Sequence, residues 1–338
     1  MLRSAVAVTP GMIAVLLLAL TGRVNGVAFA REHLAPPKSG SFRSIAVPYQ
    51  AIMASREAVS SLPTSLANGH LLAYVPNSPA TSDLFLFLPG STQRCEVYTQ
   101  LLETLAVSVR LLCIPYDNRK MIGVLCAGDS RCFPDLRLEA FNGSFDHVPG
   151  NNIQARLASA LAYLARTDGG AWSGYLDAAT GLPLWSRVRA AGHSQGAGAA
   201  AFIGYQRELA RVVQFSGVCD LSDWTRRLGP PATPEGRFFG FASSYDSLLC
   251  PVPAQVYAWR AEGALPEGSW PVQLGIGDSL AIRSLGNSHT VISSILPPGC
   301  TPEIDEQCDL KAHDSTALNM WPSHPPYADG LWQALCGV

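Results

Sequence analysis

Five consecutive apolar residues, Leu84 to Leu88, constrain the fold of this chain more than any other segment. A strand that is apolar on both faces needs cover on both sides of its sheet, which is typical of parallel sheets. Shorter strand patterns alternate with helical patterns along most of the chain. The sequence therefore predicts an α/β fold, with a mostly parallel central sheet and helices on both faces.

The alternation places strands and helices as follows. Strands are predicted at 71–75, 84–88, 109–114, 188–191, 212–216, 238–242 and 290–295, and helices at 153–166, 196–211 and 331–336. Two segments, 117–150 and 221–236, break the alternation, and each follows the C-terminal end of a strand. Open α/β sheets bind ligands at that edge, so we interpret both as insertions that form a cap or substrate wall, or else plain surface loops.

The composition excludes two classes of protein. Hydrophobic residues make up 48% of the 338 residues, which excludes a mainly disordered chain. Lys and Arg number 24 against 26 Asp and Glu, a net charge of −2. Because there is no basic excess, we expect no nucleic-acid partner.

The N-terminus has the pattern of a secretory signal peptide. Arg3 precedes an apolar run from Met12 to Leu20, and Ala28-Phe29-Ala30 is a small-x-small cleavage site. The run spans about 14 Å as a helix, whereas a bilayer core needs about 30 Å. We therefore expect cleavage after Ala30, no membrane span, and a secreted or periplasmic protein. A loose leader is predicted at 31–44 and a single domain at 45–338.

All nine cysteines follow residue 30, and export to an oxidising compartment would pair most of them. The predicted pairs are Cys126–Cys132, Cys300–Cys308 and Cys219–Cys250. Cys113 lies in an apolar run and is predicted to be a buried thiol. No C-x-x-C occurs, so no metal site is expected. Asn142 begins an N-x-S sequon and is a predicted glycosylation site in a eukaryote.

The chemistry is indicated by Gly192-His193-Ser194-Gln195-Gly196, which joins a predicted strand to a helix of small residues. Glycines on both sides of Ser194 allow a sharp turn without Cβ clashes. Such a turn lifts the serine hydroxyl above the sheet at a helix N-terminus, the geometry of a nucleophile elbow.

From about residue 70 to its end, the chain resembles the α/β-hydrolase superfamily. It is most similar to secreted serine esterases and lipases of a poorly characterised branch. The resemblance rests on Gln195 after the serine, the Leu88-Pro89-Gly90-Ser91 turn, the cysteine-bearing insertion and the 153–166 helix. It implies a serine hydrolase that cleaves a carboxylic ester of a small molecule or lipid, without metal or organic cofactor.

In this superfamily the nucleophile, the acid and the histidine follow in that order along the chain. The resemblance therefore implies His313 as the base, on a loop after the last strand, with His324 and His289 as alternatives. His193 lies inside the elbow and points in a different direction from Ser194, so it is not the expected base.

The acid is implied to be Asp246, which follows the strand at 238–242. Asp220 and Asp278 are the alternatives, and an aspartate after a strand also commonly caps a turn.

Two backbone N–H groups would form the oxyanion hole. We expect them at Gln195 and at Ser91, with Thr92 as second choice at the turn. The usual lipase His-Gly-Gly-Gly motif is absent from that turn. Two other functions stay open, a peptidase or amidase with the same residues and a non-catalytic binding protein of the same fold.

Overall fold

The computed structural model describes eleven parts of the chain. They are residues 41–52, 70–118, 120–127, 129–144, 152–220, 224–247, 249–275, 288–301, 303, 305–323 and 325–338. The predicted signal peptide, most of the predicted leader, Asp278 and His324 lie outside these residues.

The described residues form nine strands and nine α-helices. The strands are β1 (Phe42–Pro48), β2 (His70–Pro76), β3 (Leu84–Leu88), β4 (Arg110–Cys113), β5 (Val188–His193), β6 (Arg211–Phe215), β7 (Phe238–Ser243), β8 (Val272–Leu274) and β9 (Thr290–Ser293). The helices are α1 (Thr99–Ala106), α2 (Ile122–Cys126), α3 (Cys132–Asn142), α4 (Ile153–Thr167), α5 (Gln195–Gln206), α6 (Trp224–Arg227), α7 (Val252–Ala261), α8 (Glu306–Asp314) and α9 (Leu331–Cys336).

All nine strands belong to one sheet, in the order β1-β2-β4-β3-β5-β6-β7-β9-β8. β2 is antiparallel to both β1 and β4, and every other pairing is parallel. The C-terminal ends of β3 to β9 therefore share one edge of the sheet. The fold class predicted from the sequence, an α/β fold with a mostly parallel central sheet and helices on both faces, is confirmed.

The pattern in β3 explains why helices cover both faces. Leu84, Leu86 and Leu88 pack into one hydrophobic core, together with side chains of α3, α4, α5 and α7. Phe85 and Phe87 point to the other face and pack with side chains of α1 and α9. Successive residues of a strand point to opposite faces, so an uninterrupted apolar strand needs both layers.

Seven strands occur where they were predicted, whereas β1 and β8 were not predicted. β1 begins at Phe42, inside the range assigned to the leader, and pairs with β2 along its whole length. Helix α5 ends at Gln206 and not at residue 211, because Arg207 is already extended. Residues 207–211 are all good helix formers, but the backbone is already extended at Arg207.

The three predicted disulfides are present: Cys126–Cys132, Cys219–Cys250 and Cys300–Cys308. The prediction of a free thiol at Cys113 is wrong, because Cys113 is bonded to Cys95. The two lie 18 residues apart, with α1 between them, so sequence proximity gave no sign of the pairing. Cys336 is a free, buried cysteine.

No helix within the described ranges is long and apolar enough to cross a bilayer.

The side chain of Glu262, the residue directly after α7, is fully buried. The side-chain amide of Gln214, on β6, donates to Glu262 at 2.5 Å. Burial raises the pKa of Glu262 to about 8, although the Gln214 amide acts in the opposite sense. Below about pH 8, the folded protein therefore favours the protonated form of the Glu262 carboxyl.

This gives a prediction for stability against pH. A carboxyl whose folded-state pKa exceeds its unfolded value of about 4.3 costs stability progressively as the pH rises between the two values. The Glu262→Gln variant stays neutral and should remove that loss, a gain of up to about 4 kcal/mol at pH 8 and little at pH 4.5. Urea unfolding at a series of pH values, with disulfides intact, measures it.

The Glu267→Gln variant is a matched control, because it makes the same chemical change at an exposed side chain. If both variants change stability with the same pH dependence, burial of Glu262 is not the cause.

Candidate active site

Ser194 lies in the turn between β5 and α5, and its backbone has φ 55° and ψ −119°. A residue other than glycine in such a conformation typically costs about 1–3 kcal/mol, and these residues cluster at functional sites. The strand, turn and helix predicted around the motif are all present.

The two glycines of the motif are required by close packing. A Cβ at Gly192 would overlap the backbone of Gly196. A Cβ at Gly196 would in turn overlap the carbonyl of Leu88, the last residue of β3. The glycines thus allow β3, β5 and α5 to meet at one point, directly beside Ser194.

The structure brings the predicted acid and base together. Nδ1 of His313 donates to Oδ2 of Asp246 at 2.7 Å, and both side chains are buried. The carboxylate also accepts from the backbone N–H of Cys250 at 3.0 Å and the side-chain amide of Gln255 at 3.3 Å. Nδ1 of His313 is therefore the protonated ring nitrogen, which leaves Nε2 as the acceptor.

The Asp246 carboxylate sets the charge preference of the histidine. Burial opposes the charged form, but the charge and hydrogen bond of Asp246 outweigh it and raise the pKa of His313 above its ordinary value. The imidazolium is thus stabilised at this position, as a base that must accept a proton requires.

His313 was predicted to lie on a loop, but it lies in the last turn of α8. Asp305 caps the N-terminus of the helix, and its side chain accepts from the backbone N–H of Cys308 at 2.7 Å. The Cys300–Cys308 disulfide joins this first turn to the segment after β9. The apolar pattern of α8 is weak, since most of its residues are polar, and so it was not predicted as a helix.

The same helix also holds the loop that carries Asp246. Asp309, one turn before His313, accepts from the backbone N–H of Ser247 at 2.6 Å and from its hydroxyl at 2.7 Å. It accepts a further bond from the backbone N–H of Leu249 at 3.3 Å. One helix therefore positions both the histidine and the loop of its carboxylate partner.

The alternative residues are placed elsewhere. Asp220 forms a buried bidentate ion pair with Arg137, at 2.6 and 3.0 Å. His289 stacks on Phe239, with ring centroids 4.3 Å apart, and precedes the first residue of β9. Neither side chain is hydrogen-bonded to His313 or Asp246 in the described part of the chain. His324 and Asp278 lie outside the described residues.

The predicted oxyanion turn follows β3. The backbone N–H of Thr92 donates to the carbonyl of Asn118 at 2.7 Å, and that of Gln93 to Gly90 at 3.1 Å. The N–H of Gly90 donates to the hydroxyl of Tyr98 at 2.9 Å. Thr92, the second choice for the oxyanion hole, is thus already engaged, and Ser91 stays the predicted donor.

The insertion at 117–150 contacts the residue after the serine. Nη1 of Arg137, on α3, donates to the backbone carbonyl of Gln195 at 2.6 Å. The side-chain oxygen of Gln195 accepts from the hydroxyl of Ser91 at 2.7 Å and from the backbone N–H of Ile122 at 3.2 Å. Gln195 thus joins the insertion to the turn after β3.

Arg137 was missed in the sequence because a charged residue is ordinarily expected at the surface. It lies on α3 one turn from the buried Phe133 and Phe141, and its guanidinium is enclosed beside Gly198. A buried arginine needs an acidic partner. Asp220, 83 residues away, supplies it.

Comparison with known proteins adds little to this geometry. No family model matches the chain, and no curated protein matches it. Among solved structures, it is similar to an α/β serine hydrolase homologue from Coxiella burnetii, with a TM-score of 0.36 and 15% identity. The match covers 67% of this chain and 83% of that one.

The buried ion pair gives a prediction for stability. The Arg137→Met variant leaves the Asp220 carboxylate without its cation and should cost about 3–5 kcal/mol of unfolding free energy. The double variant Arg137→Met/Asp220→Asn should recover much of that loss, because no buried charge remains. Urea unfolding of the wild type, both single variants and the double variant gives the coupling energy. Additive losses would contradict the prediction.

The His313–Asp246 bond gives a second prediction. In the Asp246→Asn variant, burial still disfavours the imidazolium but the carboxylate is gone, so the pKa of His313 should fall below about 6.5. NMR titration of the imidazole signals measures this in the folded protein. The same titration of Asp220→Asn is the matched control, and an equal fall there would contradict the assignment of Asp246.

Proposed function

We propose that this protein is a serine hydrolase that cleaves carboxylic esters, with Ser194 as nucleophile, His313 as base and Asp246 as the acid that orients it. The observation that supports it most is the buried 2.7 Å bond between His313 and Asp246, at the same sheet edge as the strained turn of Ser194. A serine hydroxyl is a weak nucleophile without such a base and orienting acid.

The reaction follows from these roles. Nε2 of His313 takes the proton of the Ser194 hydroxyl as its oxygen attacks the ester carbonyl. The oxyanion that forms accepts hydrogen bonds from the backbone N–H groups of Gln195 and Ser91. His313 then gives the proton to the leaving alcohol as the carbon–oxygen bond breaks. Water, activated by His313, hydrolyses the acyl-enzyme and restores Ser194.

We further propose that the protein is secreted after removal of residues 1–30. Four disulfides and a sequon at Asn142, at the end of α3, support export. The Asn142 side chain is partly exposed, and its Oδ1 accepts from the Ser144 hydroxyl at 2.6 Å. The substrate is proposed to be a small-molecule or lipid ester.

A fluorophosphonate tests the proposal, because it modifies only activated serines. Mature protein, residues 31–338, should gain one adduct, on the tryptic peptide that contains Ser194. The Ser194→Ala variant should lose the adduct and at least about 10³-fold of kcat on p-nitrophenyl esters. Ser244→Ala, at an exposed serine after β7, is the matched control and should keep both.

Three other results would each contradict one part of the proposal. Labelling at a different serine would overturn the assignment of Ser194. Faster turnover of peptide anilides than of esters would favour the amidase alternative. Folded protein that neither reacts with the phosphonate nor turns over any ester would favour a non-catalytic binding protein.

A further inference from the structure

His193, the second residue of the G-x-S-x-G motif, is buried and takes no part in the reaction proposed above. Its ring lies between two elements of the site. The Nδ1 atom is 3.1 Å from the hydroxyl of Tyr98, and the Nε2 atom is 3.1 Å from the backbone carbonyl of His313. Both ring nitrogens are therefore hydrogen-bonded.

The direction of these bonds follows from their chemistry. A carbonyl only accepts, so Nε2 of His193 carries the proton. Burial lowers the pKa of His193 well below its ordinary value, and the nearby His313 lowers it further, so the ring is neutral. The unprotonated Nδ1 then accepts the proton of the Tyr98 hydroxyl.

The chain of bonds continues into the oxyanion turn. The Tyr98 hydroxyl accepts from the backbone N–H of Gly90 at 2.9 Å. Gly90 also packs closely against the ring, since a Cβ there would lie 3.0 Å from Nδ1 of His193. One continuous series of hydrogen bonds thus runs from Gly90 through Tyr98 and His193 to His313.

The end of this series at His313 has a structural reason. His313 lies in the last turn of α8, where carbonyl groups have no partner within the helix. Its carbonyl accepts from His193 and, at 2.7 Å, from the hydroxyl of Ser216 after β6. The two rings are also in contact, with centroids 4.9 Å apart. His193 therefore fixes the backbone of the histidine that faces Asp246.

Asp314 is a charged neighbour of His193, since its Oδ1 lies 3.9 Å from Nε2. Burial raises the pKa of Asp314 to about 6, while His313 acts to lower it. A neutral His193 adds no positive charge beside the imidazolium that forms on His313 during the reaction.

We propose that Tyr98 and His193 are positioning residues, which lock the spacing between the oxyanion turn at Gly90–Ser91 and the base His313. The inference rests on the proposed function, since it assigns no chemistry of its own. A loss of the series would let the turn and the base move independently, which affects the transition state more than substrate binding.

The Tyr98→Phe variant tests this with little change of shape. It should lower kcat on p-nitrophenyl acetate and the rate of fluorophosphonate labelling about 5–10-fold at unchanged KM. The melting temperature should also fall, because the Gly90 N–H and Nδ1 of His193 both lose their partner. Tyr205→Phe is the matched control, because it removes another buried hydroxyl, bonded to the Thr225 carbonyl at 2.5 Å. The control should keep the wild-type kcat.

Two variants at residue 193 test both links of the series. The His193→Gln side chain offers an N–H to the His313 carbonyl and an oxygen to the Tyr98 hydroxyl, and this variant should retain most of kcat. His193→Asn offers an acceptor to Tyr98 but no donor toward His313, and should lose at least as much as Tyr98→Phe. Both are compared at pH 8 after their melting temperatures are measured.

Several results would overturn the inference. These are a wild-type kcat in Tyr98→Phe, an equal loss in Tyr205→Phe, and a loss in His193→Gln as large as in His193→Asn. Failure of the proposed function is distinguishable, because wild-type protein then shows no labelling at Ser194 before any variant is compared. In that case there is no reaction for these residues to position, and this inference falls with it.

Discussion

The close approach of Gly196 to the carbonyl of Leu88 is the contact on which the rest of the site depends. It sets how near α5 can come to β3, and so how near Ser194 lies to the turn after β3. Leu88 leads directly into Pro89 and Gly90, and Gly196 follows the serine by two residues. Any side chain at Gly196 would push apart the two elements that, in the proposed reaction, face the same carbonyl group of a substrate.

Around this contact, the positions of the site residues are set by groups that belong to other elements. Asp309 on α8 holds the loop of Asp246, Arg137 on α3 holds the backbone of Gln195, and Asn118 after β4 holds the turn at Gly90. Asp309 lies in the segment after β9, whereas Arg137 and Asn118 both lie in the connection between β4 and β5. Preorganisation of this kind costs the protein nothing further at the moment of reaction.

How well each part could be predicted from the sequence depended on how far apart in the chain its interacting residues lie. β3 and the turn at Ser194 were predicted correctly because their determinants, an apolar run and two glycines, lie within the segment itself. Cys95–Cys113 was missed because its geometry depends on the path of α1 and β4 together. The helical position of His313 was missed because α8 is formed by a cap and a disulfide more than by an apolar stripe. Arg137 was missed because burial of a charge depends on a partner far away in the chain.

All four disulfides lie at or beyond the C-terminal ends of strands, at the edge that carries the candidate site. Cys95, after the turn that follows β3, is bonded to Cys113, the last residue of β4. Cys219 and Cys250 join the connections after β6 and β7, and the other two pairs lie in the insertion and at α8. Connections of this kind are ordinarily where a protein opens first in local fluctuations. The cross-links remove much of the freedom that such opening would gain. In the oxidised chain, the free energy of local opening around the bonded cysteines is therefore raised toward that of global unfolding.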